Sequence, residues 1–111
     1  MKLASRALRR VDVVSVHGRI DGEGVSEFEG VLRGLVERSR RKIVLDLRET
    51  EFINSGALRA MVSALKECKR SSGNLVIACA NERVNDTLRL VGFSTLFEQY
   101  ADVIDAIDSF E

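Results

Sequence analysis

KIVLDLRETEFINSGALRAMVSALKEC, residues 42 to 68, passes from a buried-type strand through a polar turn into an amphipathic helix. Ile43 to Leu47 is almost continuous apolar sequence, the pattern of a central strand covered on both faces. After the polar turn comes a short apolar step, Phe52-Ile53, and Asn54-Ser55-Gly56 then opens the helix. Leu58, Met61, Val62, Leu65 and Cys68 share one helical face, with Arg59, Ser63, Lys66, Glu67, Lys69 and Arg70 on the wet side. The first turn of such a helix points unpaired N–H groups outward, toward an anion or a partner's acceptor. A functional surface is expected there.

Outward from this stretch, Leu75 to Ala80 reads as a second buried strand. Two such strands joined by a helix form a right-handed βαβ unit with a parallel pair. Ser71-Ser72-Gly73 ends the helix between them, with Gly73 suited to the left-handed C-terminal position. Upstream, Lys2 to Leu8 and Val11 to Val16 are strand candidates around a turn at Arg9-Arg10, and His17 to Gly22 leaves the second strand. Val25, Phe28, Leu32, Leu35 and Val36 define one face of a helix over Val25 to Ser39. Gly30 and Gly34 in that helix suggest close packing against a neighbour, and Ser39-Arg40-Arg41-Lys42 a solvated basic corner. Downstream, Asn81 caps a third helix with Val84, Leu88 and Val91 inward and Gly92 closing it. Leu96 to Tyr100 is a short edge strand, and Asp102 starts a last helix with Val103, Ile107 and Phe110 inward. The predicted architecture is α/β: a mixed sheet of four to five strands, helices mostly on one face, in a single domain over residues 1–111.

The composition narrows the function. The chain has 111 residues, 45% hydrophobic and 31% charged, enough for a core without metals or disulfides. Seventeen basic and seventeen acidic side chains cancel, so no global field recruits nucleic acid or an anionic membrane. Five Phe and one Tyr offer no stacking platform for single strands. No apolar run is long enough to span a bilayer, and the basic Met1–Arg6 segment lacks the apolar core of a signal peptide. Cys68 and Cys79, on apolar faces, read as reduced buried thiols, which points to the cytoplasm.

Catalytic motifs fail one by one. No Gly-x-x-x-x-Gly-Lys-Ser/Thr or helix-opening Gly-x-Gly-x-x-Gly run occurs, and Ser55 is not in a nucleophile elbow. His17 is the only histidine and reads as a surface or strand-end residue. Asp46 lacks the acidic pair and late lysine that a phospho-accepting receiver aspartate would need. No cofactor or metal is expected, and no enzymatic activity.

From Val13 to the C-terminal end the sequence resembles a STAS domain, the fold of bacterial anti-sigma factor antagonists. The matching pieces are Gly18-Arg19-Ile20-Asp21, the strand Ile43 to Leu47, Phe52-Ile53-Asn54-Ser55-Gly56-Ala57-Leu58, and Leu90-Val91-Gly92-Phe93. The resemblance implies a protein that captures an anti-sigma factor, usually also a serine kinase, and so releases a sigma factor. It also implies a switch, because the kinase phosphorylates a serine at the start of the second helix and ends the capture. A phosphoserine brings about −1.5 to −2 charge, favourable at a helix N-terminus yet able to disrupt an apolar partner surface.

The family commonly reads Asp-Ser-Ser-Gly-Leu or Asp-Ser-x-Gly-Leu at that turn. Aligned without gaps, the preferred reading, Asn54 takes the aspartate position, Ser55 the first serine and Gly56 the acceptor position. A one-residue deletion would instead bring Ser55-Gly56 onto Ser-Gly, with Ala57 in the leucine position and the spacing from Phe52 broken. Either the chain binds its partner without the usual switch, or Ser55 is itself phosphorylated. A structural role for Ser55 is an N-cap hydroxyl; Asn54 reads as a cap or a partner contact, and Asp21 as closing its turn or facing the partner. The expected partner surface is Asp21, Gly22, Asn54, Ser55, Gly56 and Arg59, on a monomer or weak homodimer. An alternative within the resemblance is a STAS subunit docking on the ATPase of a lipid-transport ABC complex.

Overall fold

The computed structural model describes residues 1–111. In chain order it comprises β1 (Lys2–Leu8), β2 (Val11–Ile20), α1 (Glu23–Glu37), β3 (Lys42–Asp46), β4 (Thr50–Ile53), α2 (Ser55–Arg70), β5 (Asn74–Ala78), α3 (Glu82–Leu90), β6 (Gln99–Tyr100) and α4 (Val103–Asp108). The sheet runs β1-β2-β3-β5-β6, with β4 pairing β2 off this path. Only β1 is antiparallel, so the sheet is mixed as expected.

The buried strands divide their residues between two cores by simple alternation. Val14, Leu45 and Ile77 face a large core with Phe28 and Leu32 of α1, Met61 and Leu65 of α2, and Val84 and Leu88 of α3. Their neighbours Val13, Val44 and Val76 face the opposite side, where Ala106 of α4 covers them and Tyr100, Val103, Ile107 and Phe110 pack at the rim. Three helices therefore lie on one face and the short α4 on the other. Both sides of β3 and β5 are dry at their centres, the reason Ile43–Leu45 and Leu75–Ala78 are unbroken apolar runs.

Several expectations change. β2 runs on to Ile20, through a register shift between Gly18 and Arg19 that Gly18 accommodates at φ 101°. That extension meets Phe52-Ile53, which is no mere step but the end of β4, parallel to β2. Thr50 anchors the other end, its Oγ1 donating to the Val16 carbonyl at 2.9 Å. Val91, expected inside, is exposed because α3 ends at Leu90 and the chain turns outward. β5 stops at Ala78, since Cys79 adopts φ 59°. Cys79 is only half-buried, and its Sγ receives the Arg48 guanidinium at 3.2 Å. That contact raises the Arg48 pKa above its ordinary value.

The basic corner is structural rather than solvated. Arg40 pairs with the buried Asp12 at 2.8 Å. Arg41 donates to the Val36 and Glu67 carbonyls and, at 2.7 Å, to Ser71 Oγ. The left-handed residue after α2 is Ser72, at φ 60°; Gly73 serves a different need, a close approach to Arg41.

Gly30 and Gly34 are not sites of close packing either. A Cβ on Gly30 would meet nothing within 4 Å, and one on Gly34 only the tip of Arg38. Gly30→Ala is therefore expected to stabilise the protein by roughly 0.5–1 kcal/mol, the helix-interior cost of glycine. A higher urea midpoint with unchanged slope checks this.

Cys68 lies fully inside the larger core. Burial pushes its thiol pKa up from about 9 to about 11, with Arg41 opposing and Glu67 reinforcing the rise. Because the folded pKa is the higher one, this contribution is intact below about pH 9 and is lost as pH climbs toward about 11. At roughly 1.4 kcal/mol per unit, the loss reaches about 2–3 kcal/mol. Denaturant titrations from pH 8 upward are expected to show this alkaline decline in wild type and a shallower one in Cys68→Ala.

Candidate functional site

Where β2 and β4 end side by side, the turns into α1 and α2 are brought together. The Asn54 N–H donates to the Ile20 carbonyl at 3.2 Å, which ties the start of α2 to the residue before Asp21-Gly22. Asn54 has extended backbone, φ −85° and ψ 177°, and its Oδ1 accepts from the Ala57 N–H at 2.9 Å. The cap is therefore Asn54, and the N-cap role does not fall to Ser55. Ser55 is the first helical residue and is exposed. It and Gly56 leave first-turn N–H groups without an intrahelical partner.

Gly56 sits under α1. A Cβ there would lie 3.2 Å from Val25 Cγ1 and 3.4 Å from Asn54 Oδ1. Val25, read as a core residue, is half-buried and instead covers the α2 start. Gly22 precedes α1 at φ 53° without a side-chain cap. Asp21 closes this turn through its backbone, its carbonyl accepting from the Gly24 N–H at 3.0 Å. Its carboxylate accepts from Arg19 Nε at 3.1 Å.

Arg19 and Phe52, present in the sequence's matching pieces but not in its expected partner surface, also belong to this corner. They are register partners of β2 and β4. The Arg19 guanidinium carbon stands 4.3 Å from the Phe52 ring centroid, a contact worth about 0.5–1 kcal/mol at an exposed site. Phe52 remains 38% exposed, which leaves an aromatic face and an oriented cation at the surface. In the sequence Phe52 is a lone aromatic beside Ile53, and its place next to Arg19 follows only from the β2–β4 pairing. An open cleft of about 640 Å³ adjoins Arg19, lined by His17, Arg19, Asp21, Glu23, Glu27 and Glu51 among others. His17 is exposed on β2.

Arg59 is not in the corner. It is exposed one turn further along α2, on Ser55's side of the helix, and lines a groove of about 200 Å³ between α1 and α2 with Glu29, Arg33 and Ser63. No three His, Cys, Asp or Glu side chains converge to hold a metal ion. No helix is long and apolar enough to cross a membrane. What the corner offers chemically is recognition: an exposed hydroxyl, free helix-start N–H groups, an aromatic face and a paired charge.

Residues 3–106 match the STAS domain model, and the chain belongs to that family. BtrV of Bordetella bronchiseptica, which carries the name of an anti-sigma factor antagonist, is 25% identical over 97 residues, covering 87% of this chain and 84% of BtrV. Among solved structures, a Thermotoga maritima protein described in the same terms superposes with a TM-score of 0.88 at 22% identity, covering 96% of this chain and 92% of its own. The anti-sigma factor antagonist SpoIIAA in its unphosphorylated form gives 0.81 at 16% identity, over 98% and 97% of the two chains. The phosphorylated form, from Bacillus, gives 0.78 at 13% identity, over 99% and 100%. At these identities the superpositions establish the fold.

Proposed function

We propose that the protein is an anti-sigma factor antagonist: it binds a serine-kinase-like anti-sigma factor and so releases a sigma factor, with no chemistry of its own. The observation that carries this reading is the Asn54–Ile20 hydrogen bond. It holds the exposed start of α2 against the Asp21-Gly22 turn, in a chain of the family whose relatives bear that name. Asp21, Gly22, Asn54, Ser55 and Gly56 form the centre of the partner surface. Arg59 extends it along α2, and Arg19 with Phe52 extends it along the sheet.

Regulation departs from the family's usual serine. Gly56 occupies the acceptor position and offers no hydroxyl, and a side chain begun there would crowd Val25, whose Cγ1 would lie 3.2 Å from the added Cβ. Capture is then set by the amounts of the two proteins rather than by phosphate on that residue. Calorimetric titration against the serine-kinase-type anti-sigma factors of the source organism tests the binding. One of them should bind with micromolar or tighter affinity, and failure of all of them overturns the reading. Incubation of the complex with ATP, followed by intact mass, tests the regulation. No added phosphate is expected; a phosphate on Ser55 that disappears in Ser55→Ala would sink the unswitched version and leave the binding role intact.

A further inference from the structure

We propose that the free edge of β1 is a docking site for an extended acidic polypeptide segment, which joins the sheet as an additional strand. β1 stands at the end of the sheet and pairs with β2 alone. All seven of its residues hold one continuous antiparallel register, from Lys2 opposite His17 to Leu8 opposite Val11. Its outer side is therefore a row of unpaired N–H and C=O groups, a template for another strand. Proteins usually blunt such an edge with proline, a bulge or brevity. The chain contains no proline, the register has no break, and β1 is far longer than the two-residue β6 at the other edge. At its centre stand the small residues Ala4 and Ser5, and every β1 residue except Leu3 is exposed.

Charge selects the occupant. The whole chain is neutral, yet its first eleven residues hold Lys2, Arg6, Arg9 and Arg10 and no acid. Arg9 pairs with Glu111, whereas Lys2, Arg6 and Arg10 make no ion pair. Lys2 and Arg6 share one face of the strand by alternation. A second copy docking edge to edge would bring these cations together with no acid between them, so the same residues that block self-pairing admit an acidic strand. An anionic lipid surface or a nucleic acid would meet the charges but not the backbone row. An extended peptide with acidic side chains at alternate positions meets both. This inference stands apart from the anti-sigma reading, although Lys2 also lines the cleft beside Asp21.

The test is a short blocked peptide of alternating valine and glutamate, titrated into isotope-labelled protein and followed by amide hydrogen exchange. Exchange of the β1 amides is expected to slow by at least about tenfold at saturation, the mark of a newly paired edge. The exposed double variant Lys2→Glu/Arg6→Glu, checked for folding by circular dichroism, should bind at least about tenfold more weakly because like charges then face each other. A peptide N-methylated at alternate amides keeps the charge but cannot pair, and should not protect β1. Absence of protection with the parent peptide overturns the proposal, as does equal binding of the N-methylated one. Sedimentation showing a β1-dependent dimer, or equal protection by phosphatidylserine vesicles or duplex DNA, overturns the choice of partner.

Discussion

Gly73→Ala is expected to lower stability by about 3 kcal/mol, a large part of what holds a domain of this size. An added Cβ would lie 2.0 Å from the Arg41 carbonyl oxygen and 2.9 Å from its carbon. Both are backbone atoms, so no side-chain rotation relieves the overlap. Nor can the backbone of either partner easily withdraw. The Gly73 N–H donates to the Cys68 carbonyl at 2.8 Å, and the Asn74 N–H donates to that same Arg41 carbonyl at 3.0 Å. Arg41 is further held by its own bonds to Val36, Glu67 and Ser71. The clash falls where the central parallel pair begins, at Lys42 opposite Asn74. Urea unfolding measures the effect; a wild-type midpoint would mean that β3 and β5 can part there at no cost.

That glycine also illustrates what a single sequence can carry. Its presence after a helix was legible, but its reason was not. The left-handed turn went to Ser72, and the constraint on Gly73 comes from a residue about thirty positions earlier. β3, β5 and the inward stripe of α2 were readable because burial imposes a pattern along the chain itself. β4 was not, since only Thr50 and Ile53 of its four residues are buried, and its partner lies beyond the bulge at Gly18. Arg40 and Arg41 read as a solvated run because the groups they bind, Asp12 and the Glu67 carbonyl, are distant in sequence. The candidate corner divides the same way. Asn54-Ser55-Gly56 announced a helix start through local chemistry, with both Asn54 and Ser55 readable as its cap. Which residue caps depended on the backbone of Asn54, held to Ile20 of β2, and that Val25 lies over Gly56 depended on how α1 packs. The Arg19–Phe52 pair follows only from the β2–β4 register.

Ser55→Glu should move folding and binding in opposite directions. Ser55 is exposed at the first helical position and is not the cap, so replacing it removes no hydrogen bond on which α2 depends. A carboxylate in the first turn is favoured by the free N–H groups and the helix dipole, by roughly 0.3–1 kcal/mol. No acidic residue already occupies that turn, so the favourable term is not cancelled by a neighbour in the helix. Thermal stability should hold or rise slightly. Under the proposed function, binding to an anti-sigma factor should weaken by about 100-fold, or roughly 2.7 kcal/mol, since a charge at the centre of the proposed interface must be stripped of water without a partner. A merely structural defect would lower both quantities, and a rim position would change affinity only modestly. Unchanged affinity with unchanged stability would remove Ser55 from the proposed partner surface, leaving the places proposed there for Asp21 and Arg59 to be tested in their own right.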